Sequence, residues 1–507
     1  MGISDSEFGL IMTSFTGQIN SLRSWILREP LFTLLQQLAA DLGCTLYLTG
    51  GLVRDCLLGR RTRDVDLAVA GPALALAEAF AGRSGGTYVL LKKEEATARV
   101  VTPELVFDFA GFRAPTLEGD LRHRDFTVNS IALPLAAVFG TGVWEPFDPL
   151  AGIADLNRKC LRICHPGVFQ QDPLRLLRVF RLAGQLSLTI TADTREAIRK
   201  WAPALELSAA ERRCYEFELL LRQPFAYPLL ALMAEDGLLD IFLPEMIPLR
   251  HTAQNGFHHL NVYDHTLLGF RRLEEILTGG FPLPPDLAGE RHRYLAEGHY
   301  PVWLKWSILA HDLGKPATAA QKEDRRTFYH HEQIGREVFA AIAERLRLGL
   351  RAKAYILHQV GLHLRPFHLL QVQVREGLSR RAVLRFIREG GEALTGTFLL
   401  ALADSLASQG PDKPPDLEIR LLQLWRKCLH LGEAIGRPGV QSPPLINGRD
   451  LLRMGYPPGP LFKTILETVR EEQWLGNLGD ADEALDWVRR RWGSPGAGRH
   501  PQPKPDA

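Results

Sequence analysis

Hydrophobic and polar positions alternate with a period of two along five short stretches within residues 46–109: LYLT, DVDLAV, TYVLL, ARVV and LVFDF. Side chains change face at every residue of a strand, so each stretch predicts a strand with one buried face, and the Thr-Pro-Glu between the last two predicts a turn. From about Asp172 the period lengthens. QDPLRLLRVFRLAGQL and AAERRCYEFELLL carry apolar residues three and four apart, the spacing of amphipathic helices, and the remainder reads mainly as helix. The expected fold class is α+β, with a small mixed β-sheet followed by helical domains. Breaks rich in Pro and Gly at residues 279–289, 409–416 and 437–444 divide the helical part, and the last fifteen residues, GSPGAGRHPQPKPDA, read as a disordered tail.

Composition narrows the class of protein. A chain of 507 residues exceeds one ordinary core, so two to four domains are expected. Its 46% hydrophobic and 23% charged residues suit a globular protein, and no apolar run approaches the roughly 20 residues needed to span a bilayer. No basic-then-apolar leader opens the chain, so a cytoplasmic location is expected. The six cysteines are scattered, and Cys160 and Cys164 have no second pair with which to build a zinc site. A net charge of +2 neither requires nor excludes RNA, because a basic groove can be balanced by acidic surface elsewhere.

The densest chemistry lies in LYLTGGLVRDCLLGRRTRDVDLAV, which reads as strand, Gly-Gly turn, helix and second strand. Gly50 and Gly51 let backbone approach a ligand, the helix start offers N–H groups to a triphosphate, and Arg54 adds charge. Asp64 and Asp66, two residues apart, project from one face of the second strand, and two carboxylates on one face can hold magnesium. A pair of such ions activates an attacking hydroxyl and stabilises departing pyrophosphate. Asp108, in LVFDF, is the candidate third ligand. A lone Asp-x-Asp is usually a surface feature; the compound string GGxVRD(x)8DxD is far more specific.

That string resembles the first motif of the class II tRNA nucleotidyltransferase and bacterial poly(A) polymerase family. HRDFTVNSIA is similar to the family's RRDFTxNA element and implies that Arg124, Asp125 and Asn129 contact the sugar and phosphates of the incoming nucleotide. A plainer reading has Asp125 and Asn129 capping a helix over residues 131–133. FDPLAGIADLNRKCLR resembles the connector between head and neck. QDPLRLLR resembles the base-selecting EDxxR motif, with Gln171 in place of Glu, and nominates Asp172, Arg175 and Arg178. Asp172 is expected as an N-cap with Pro173 at the first helical position, so that Asp172 and Arg175 face one ligand. Cytosine and adenine both present an amino donor beside a ring-nitrogen acceptor, which a carboxylate and a guanidinium match; guanine and uracil present the reverse. Only residues 114–122 separate the sheet from HRDFT. This is short beside full CCA-adding relatives, whose flexible loop serves the final adenosine, and is similar to the CC-adding subgroup.

Histidine is concentrated: 12 of 16 fall between His251 and His368, so that segment favours imidazole chemistry. LNVYDHTLLGF, WLKWSILAHDLGKP and FYHHEQIGREVF together resemble HD-domain phosphohydrolases. The resemblance implies His265, His311, Asp312 and Asp404 as one metal set, with His331 and His363 serving a second divalent ion. The WSILA run predicts a helix burying one face. Residues 445–488 are similar to the tail of HD-containing family members, where Arg449, Arg453 and Lys463 could face RNA backbone.

The expected organisation is an N-terminal extension (1–30), a nucleotidyltransferase head (31–150), a neck and RNA-binding region (151–250), an HD metal domain (251–410), a helical RNA-binding region (411–492) and the tail (493–507). The expected function is addition of C and/or A to the 3′ end of tRNA from CTP and ATP with magnesium, alongside a phosphohydrolase-like HD half and without a membrane. Two alternatives stay open in the sequence: a poly(A) polymerase acting on broader RNA, and an HD phosphohydrolase with an inert transferase half.

Overall fold

The computed structural model describes residues 5–141, 144–323, 325–434 and 443–493. The expected tail and most of the break at 437–444 lie outside them. The chain forms two compact units, Met1–Pro244 and Glu245–Ala507, dividing a few residues before the expected boundary at 250.

The described part of the first unit opens with helices α1 (Asp5–Arg28) and α2 (Pro30–Asp41), so the described residues of the expected extension are largely helical. Phe15, Ile19, Leu22 and Ile26 recur at helical spacing along α1 and are buried where it packs on α2 and α3 (Gly50–Leu57). The strands β1 (Thr45–Thr49), β2 (Asp64–Ala70), β3 (Thr87–Lys92), β4 (Thr97–Val101), β5 (Val106–Gly111) and β6 (Leu133–Pro134) form one sheet in the order β3-β4-β5-β2-β1-β6. Only the β2·β5 pair is parallel.

Alternation sorts the sheet's two faces. Val65, Leu67 and Val69 on β2, with Phe107 and Phe109 on β5, are buried on one face. Helix α4 (Ala73–Ser84) covers that face through Phe80, whose ring lies 4.8 Å from Phe107 and 5.8 Å from Phe109, while Phe32 of α2 meets Phe107 at 5.8 Å. The two contacts to Phe107 are edge-on, an arrangement that suits the aromatic quadrupoles. The opposite face is left to Asp64, Asp66 and Asp108. The expected Thr-Pro-Glu turn is present, closed by Thr102 and Leu105, whose backbone and hydroxyl groups bond one another.

Beyond β5 come α5 (Leu117–Arg122), α6 (Gly152–Asn157), α7 (Val168–Gln171), α8 (Arg175–Leu186), α9 (Ala192–Trp201) and α10 (Ala210–Leu221). The capped helix suggested for residues 131–133 does not form. Residues Thr127–Asn129 make a single 3-10 turn and Leu133 continues into β6, because Ala132 bridges to Phe147 and Leu133 pairs with Leu48. Tertiary pairing overrides the local capping preference.

Among the described residues, the second unit is built of helices, with one short antiparallel strand pair of Ala320–Lys322 and Arg325–Thr327. Helices Val262–Thr278, Tyr300–Ala310 and Leu394–Ala407 pack together, as do His331–Arg345 and Leu350–Leu362. Tyr300–Ala310 was expected to bury one face. It buries Leu304 through Ala310 without interruption, because neighbouring helices enclose it. The last helices, Gly448–Arg453, Pro460–Leu475 and Ala481–Trp492, make a small core of Ile446, Leu451, Tyr456, Ile465, Val469 and Val488. Among the described residues no helix is long and apolar enough to cross a membrane, and all six cysteines are free.

Candidate functional site

A polar cleft of about 590 Å³ opens over the carboxylate face of the sheet, lined by Gly50, Gly51, Arg54, Asp64, Asp66, Asp108, Arg124, Asp125, Asn129, Arg175 and Arg178. Parallel pairing of β2 and β5 places Asp66 in register with Asp108 and Asp64 with Val106, so the three carboxylates share one face. Gly51 N–H donates to Asp66 Oδ2 at 2.6 Å, so this amide at the helix start is engaged by the carboxylate. Gly50 takes φ +64°, and a Cβ there would stand 2.5 Å from Asp66 Oδ2; glycine is required on both counts.

Burial pushes the Asp66 carboxyl above its ordinary range; Arg124 and the Gly51 amide oppose the shift, and Asp108 adds to it. A desolvated carboxylate beside a second one is the donor set that a hard divalent cation satisfies, so the residues fit magnesium. Asp108 itself is held by Arg99, whose Nε and Nη2 donate to its two oxygens at 2.7 and 2.8 Å.

A hydrogen-bonded chain runs along the cleft's other wall. Arg54 Nη1 donates to Asn129 Oδ1 at 2.6 Å, Asn129 Nδ2 to Asp125 Oδ1 at 2.9 Å, and Arg178 Nη1 to Asp125 Oδ2 at 3.1 Å. Burial alone would raise Asp125, but Arg178, Asn129, Arg175 and the Phe126 amide outweigh it and hold its carboxyl below the usual range. Asp125 is therefore held as an anion on the cleft wall. Arg124 reaches Asp120 at 3.3 Å, and its Nε is buried without a hydrogen-bond partner, as is Nε of Arg175. Buried guanidinium donors lacking acceptors suit a phosphate or a base edge.

Asp172 is placed differently from the expectation. Helix α8 starts at Arg175, and Asp172 Oδ1 accepts from Leu174 N at 3.2 Å in a tight turn before it. Its Oδ2 lies 3.8 Å from Arg212, and it does not line the cleft, whereas Arg175 and Arg178 do. The proline at 173 disfavours the helical region for its predecessor, and Asp172 is accordingly extended, with φ −143° and ψ 98°. Arg99, Arg113, Arg181 and Tyr215 also line the cleft and were not singled out from the sequence. For Arg99 the signal was available: it sits on the strand face opposite to Ala98 and Val100, both buried.

The second unit gathers all six nominated HD residues. His265 Nε2 lies 3.0 Å from Asp404 Oδ1 and 3.8 Å from Asp312 Oδ2, and His311 Nε2 lies 3.2 Å from Asp312 Oδ2. On the other side, Asp312 Oδ1 is 3.4 Å from His331 Nε2 and 4.0 Å from His363 Nε2, so its two oxygens face two histidine pairs. His311, His331 and His363 each turn Nδ1 to the carbonyl three residues back, of Ile308, Phe328 and Val360, at 2.7–2.8 Å. A proton on Nδ1 leaves Nε2 as a lone pair aimed at the centre. The Nε2 atoms of His265 and His311 are buried without a hydrogen-bond donor or a well-formed hydrogen bond, facing the Asp312 and Asp404 carboxylates. A divalent cation between these groups resolves both deficits, so the set fits a metal.

Lys315 Nζ stands 2.6 Å from Asp312 Oδ2 and also donates to Gln254. His258, missed in the sequence, groups with His265 and Asp404; the dense histidine run was its only signal. A cavity of about 460 Å³ adjoins, walled by Phe257, Leu364, Phe367 and Leu417 with Arg375, Lys413 and Arg420 among its polar groups, and reaching His258 and Asp404.

Comparison with known proteins accords with this geometry. Three family profiles match the chain: the poly A polymerase head domain at residues 46–162, the probable RNA and SrmB-binding site of polymerase A at 187–249, and the HD domain at 289–409. The A-adding tRNA nucleotidyltransferase of Deinococcus radiodurans is 34% identical over 455 residues, covering 87% of this chain and 94% of the relative. The CC-adding tRNA nucleotidyltransferase of Synechocystis sp. is 40% identical over 445 residues, covering 87% and 92%. The CC-adding enzyme of Thermus thermophilus is 31% identical, covering 86% and 92%. Among solved structures, the Thermotoga maritima CCA-adding enzyme complexed with tRNA is similar in fold, with a TM-score of 0.59 at 21% identity over 91% of this chain and 94% of that one.

Proposed function

The chain belongs to the class II tRNA nucleotidyltransferase and poly(A) polymerase family, and we propose that it adds the two cytidines of the CCA end to tRNA, taking CTP one nucleotide at a time without a template. One observation carries the transferase reading: strand-borne Asp64, Asp66 and Asp108 share a cleft with arginines on the opposing wall, two of which hold buried, unpartnered Nε atoms. Asp64, Asp66 and Asp108 would hold magnesium, which supplies activation of the attacking hydroxyl and neutralisation of the pyrophosphate. Arg54 and Arg124 bind the triphosphate, Asp125 accepts from the ribose, and Arg175 and Arg178 border the base. Positioning and electrostatics supply the rate, with no covalent intermediate on the protein.

The preference for CC over a complete CCA rests on α5. The segment joining the sheet to HRDFT is a short helix capped by Thr116, whose hydroxyl accepts from Gly119 N. Asp120 pins it at both ends by accepting from Arg113 N at 3.1 Å and Arg124 at 3.3 Å. A segment so short and tied supports termination after cytidine, because it supplies no flexible loop with which to remodel the pocket for adenosine.

The deciding experiment offers tRNA lacking CCA, and tRNA ending in CC, with each NTP singly. Two CMP from CTP and then arrest is the expected result. One AMP on the CC-ended tRNA would make it A-adding, and unlimited tails from ATP would make it a poly(A) polymerase.

The orphaned imidazole nitrogens around Asp312 support a second reading, a metal-dependent phosphohydrolase in the HD half acting on cyclic or terminal RNA phosphates. Hydrolysis of bis-p-nitrophenyl phosphate with manganese or nickel, abolished in Asp312→Ala, tests it.

A further inference from the structure

We propose that Arg99 is a built-in surrogate cation: it occupies Asp108 while the head cleft holds no divalent ion, and passes to the nucleotide's phosphates when one binds. The proposal rests on the reading of the cleft as the metal and nucleotide site, and adds to it a residue that controls metal entry.

Antiparallel pairing sets Arg99 of β4 directly across from Asp108 of β5. Arg99 engages both carboxylate oxygens at once, at 2.7 and 2.8 Å, a fork-to-fork pairing that aligns two charge-assisted bonds. Asp108 in turn registers with Asp66 across the parallel pair, so the guanidinium lies at the edge of the carboxylate group where a cation would bind. Arg99 and Asp108 both line the cleft. Their side chains are 44% and 29% exposed, so neither charge is locked in a dry core.

Two properties separate this pair from a structural ion pair. The pair is open to water and salt, which screen its attraction, so its loss costs the fold less than that of a pair sealed in a dry core. Its position also places one positive charge where the metal's must go, since a guanidinium and a divalent ion on the same carboxylate repel each other. Arg99 remains within the polar cleft when displaced, facing an incoming polyanion for which its planar fork is well shaped. The exchange moves no proton and breaks no covalent bond.

The test is manganese binding to the full-length protein without nucleotide, followed by electron paramagnetic resonance; the HD centre contributes equally to every variant compared. Arg99→Gln is expected to tighten manganese binding on the order of tenfold, while CTP binding measured with calcium weakens by a similar factor. Arg99→Lys, which keeps the charge but offers one contact in place of two, falls between and stands in if the glutamine variant does not fold. In Asp108→Asn the gain from Arg99→Gln disappears, because there is no carboxylate to release. Unchanged or weaker manganese binding in Arg99→Gln overturns the proposal and makes the pair a fixed one. If Asp66→Asn also leaves manganese binding in the head unchanged, the transferase reading itself fails; if Asp66→Asn abolishes it and Arg99→Gln gains nothing, only the role of Arg99 falls.

Discussion

Asp125 and Arg178 stand 53 positions apart in the chain, and their side chains meet at 3.1 Å. The contact ties the HRDFT turn to helix α8. Arg178 also lies 3.7 Å from Glu216 on α10, whose other oxygen accepts from Arg181 at 2.6 Å. Helix placement is thereby transmitted through Asp125 and Asn129 to Arg54 at the glycine turn.

Arg178→Met is expected to destabilise the first unit by about 1.5–3 kcal/mol at pH 7, the usual cost of stranding a buried charged hydrogen-bond partner. Asp125 is held below its unfolded value, so its stabilising contribution is present above about 3.9 and is lost as pH falls through the lowered folded value. The deficit of Arg178→Met, read from urea midpoints, should therefore persist at pH 5 and shrink only in stronger acid.

Asp66→Asn is expected to abolish nucleotide addition, by on the order of 10³-fold or more, while raising the melting temperature of the metal-free protein at pH 7. Burial raises this carboxyl, so its ionisation penalises the fold above the folded value, and the penalty vanishes below the unfolded one. The amide variant keeps an oxygen for Gly51 N–H. Calorimetry in EDTA beside a CMP-incorporation assay checks both halves.

Asp312→Ala should remove bound transition metal from the HD centre, measured by elemental analysis, while the rate of CMP addition changes by less than about twofold. The two centres lie in separate compact units, which gives the expectation its basis.

Stability of the metal-free protein should fall as pH drops below about 6.5. Burial first, then neighbouring charged groups, pulls His258 and His363 down to about 3. The folded state thus binds fewer protons than the unfolded chain between about 3 and 6.5, and each such histidine costs up to about 1.4 kcal/mol per pH unit there. His311 works in another window: Asp312 outweighs its burial and raises it, so its contribution changes only above about 6.5 and adds no slope below. The slope below about 6.5 should therefore approach that of two histidines, and His363→Gln should reduce it by about half in thermal melts from pH 8 to 5.

The strands, the shared face of Asp64 and Asp66 and the Gly-Gly turn were legible because each rests on short-range periodicity or a contiguous motif, whereas the HD histidines were nominated only by family resemblance. Asp172 makes the capping bond expected of it, accepting from Leu174 N, but α8 begins only at Arg175, so Pro173 sits in the turn before the helix and not at its first position. The helix expected beyond Asn129 failed because pairing with β1 and Phe147 outcompeted local capping. Arg99 and His258 escaped notice because neither belongs to a motif: Arg99 matters through its cross-strand partner Asp108, and His258 through its grouping with His265 and Asp404.

The chain's alternation, by itself, determined that two carboxylates share a strand face, since side-chain direction is fixed by backbone geometry at every second residue. It could not determine what stands beside them. Parallel pairing of β2 with β5 brings Asp108 to Asp66, and the fold of the second unit draws His265, Asp312, His331 and Asp404 from separate segments into one buried cluster. Those juxtapositions depend on which hydrophobic faces pack together over long sequence separations, a choice made by burial of the whole core and not by any local stretch.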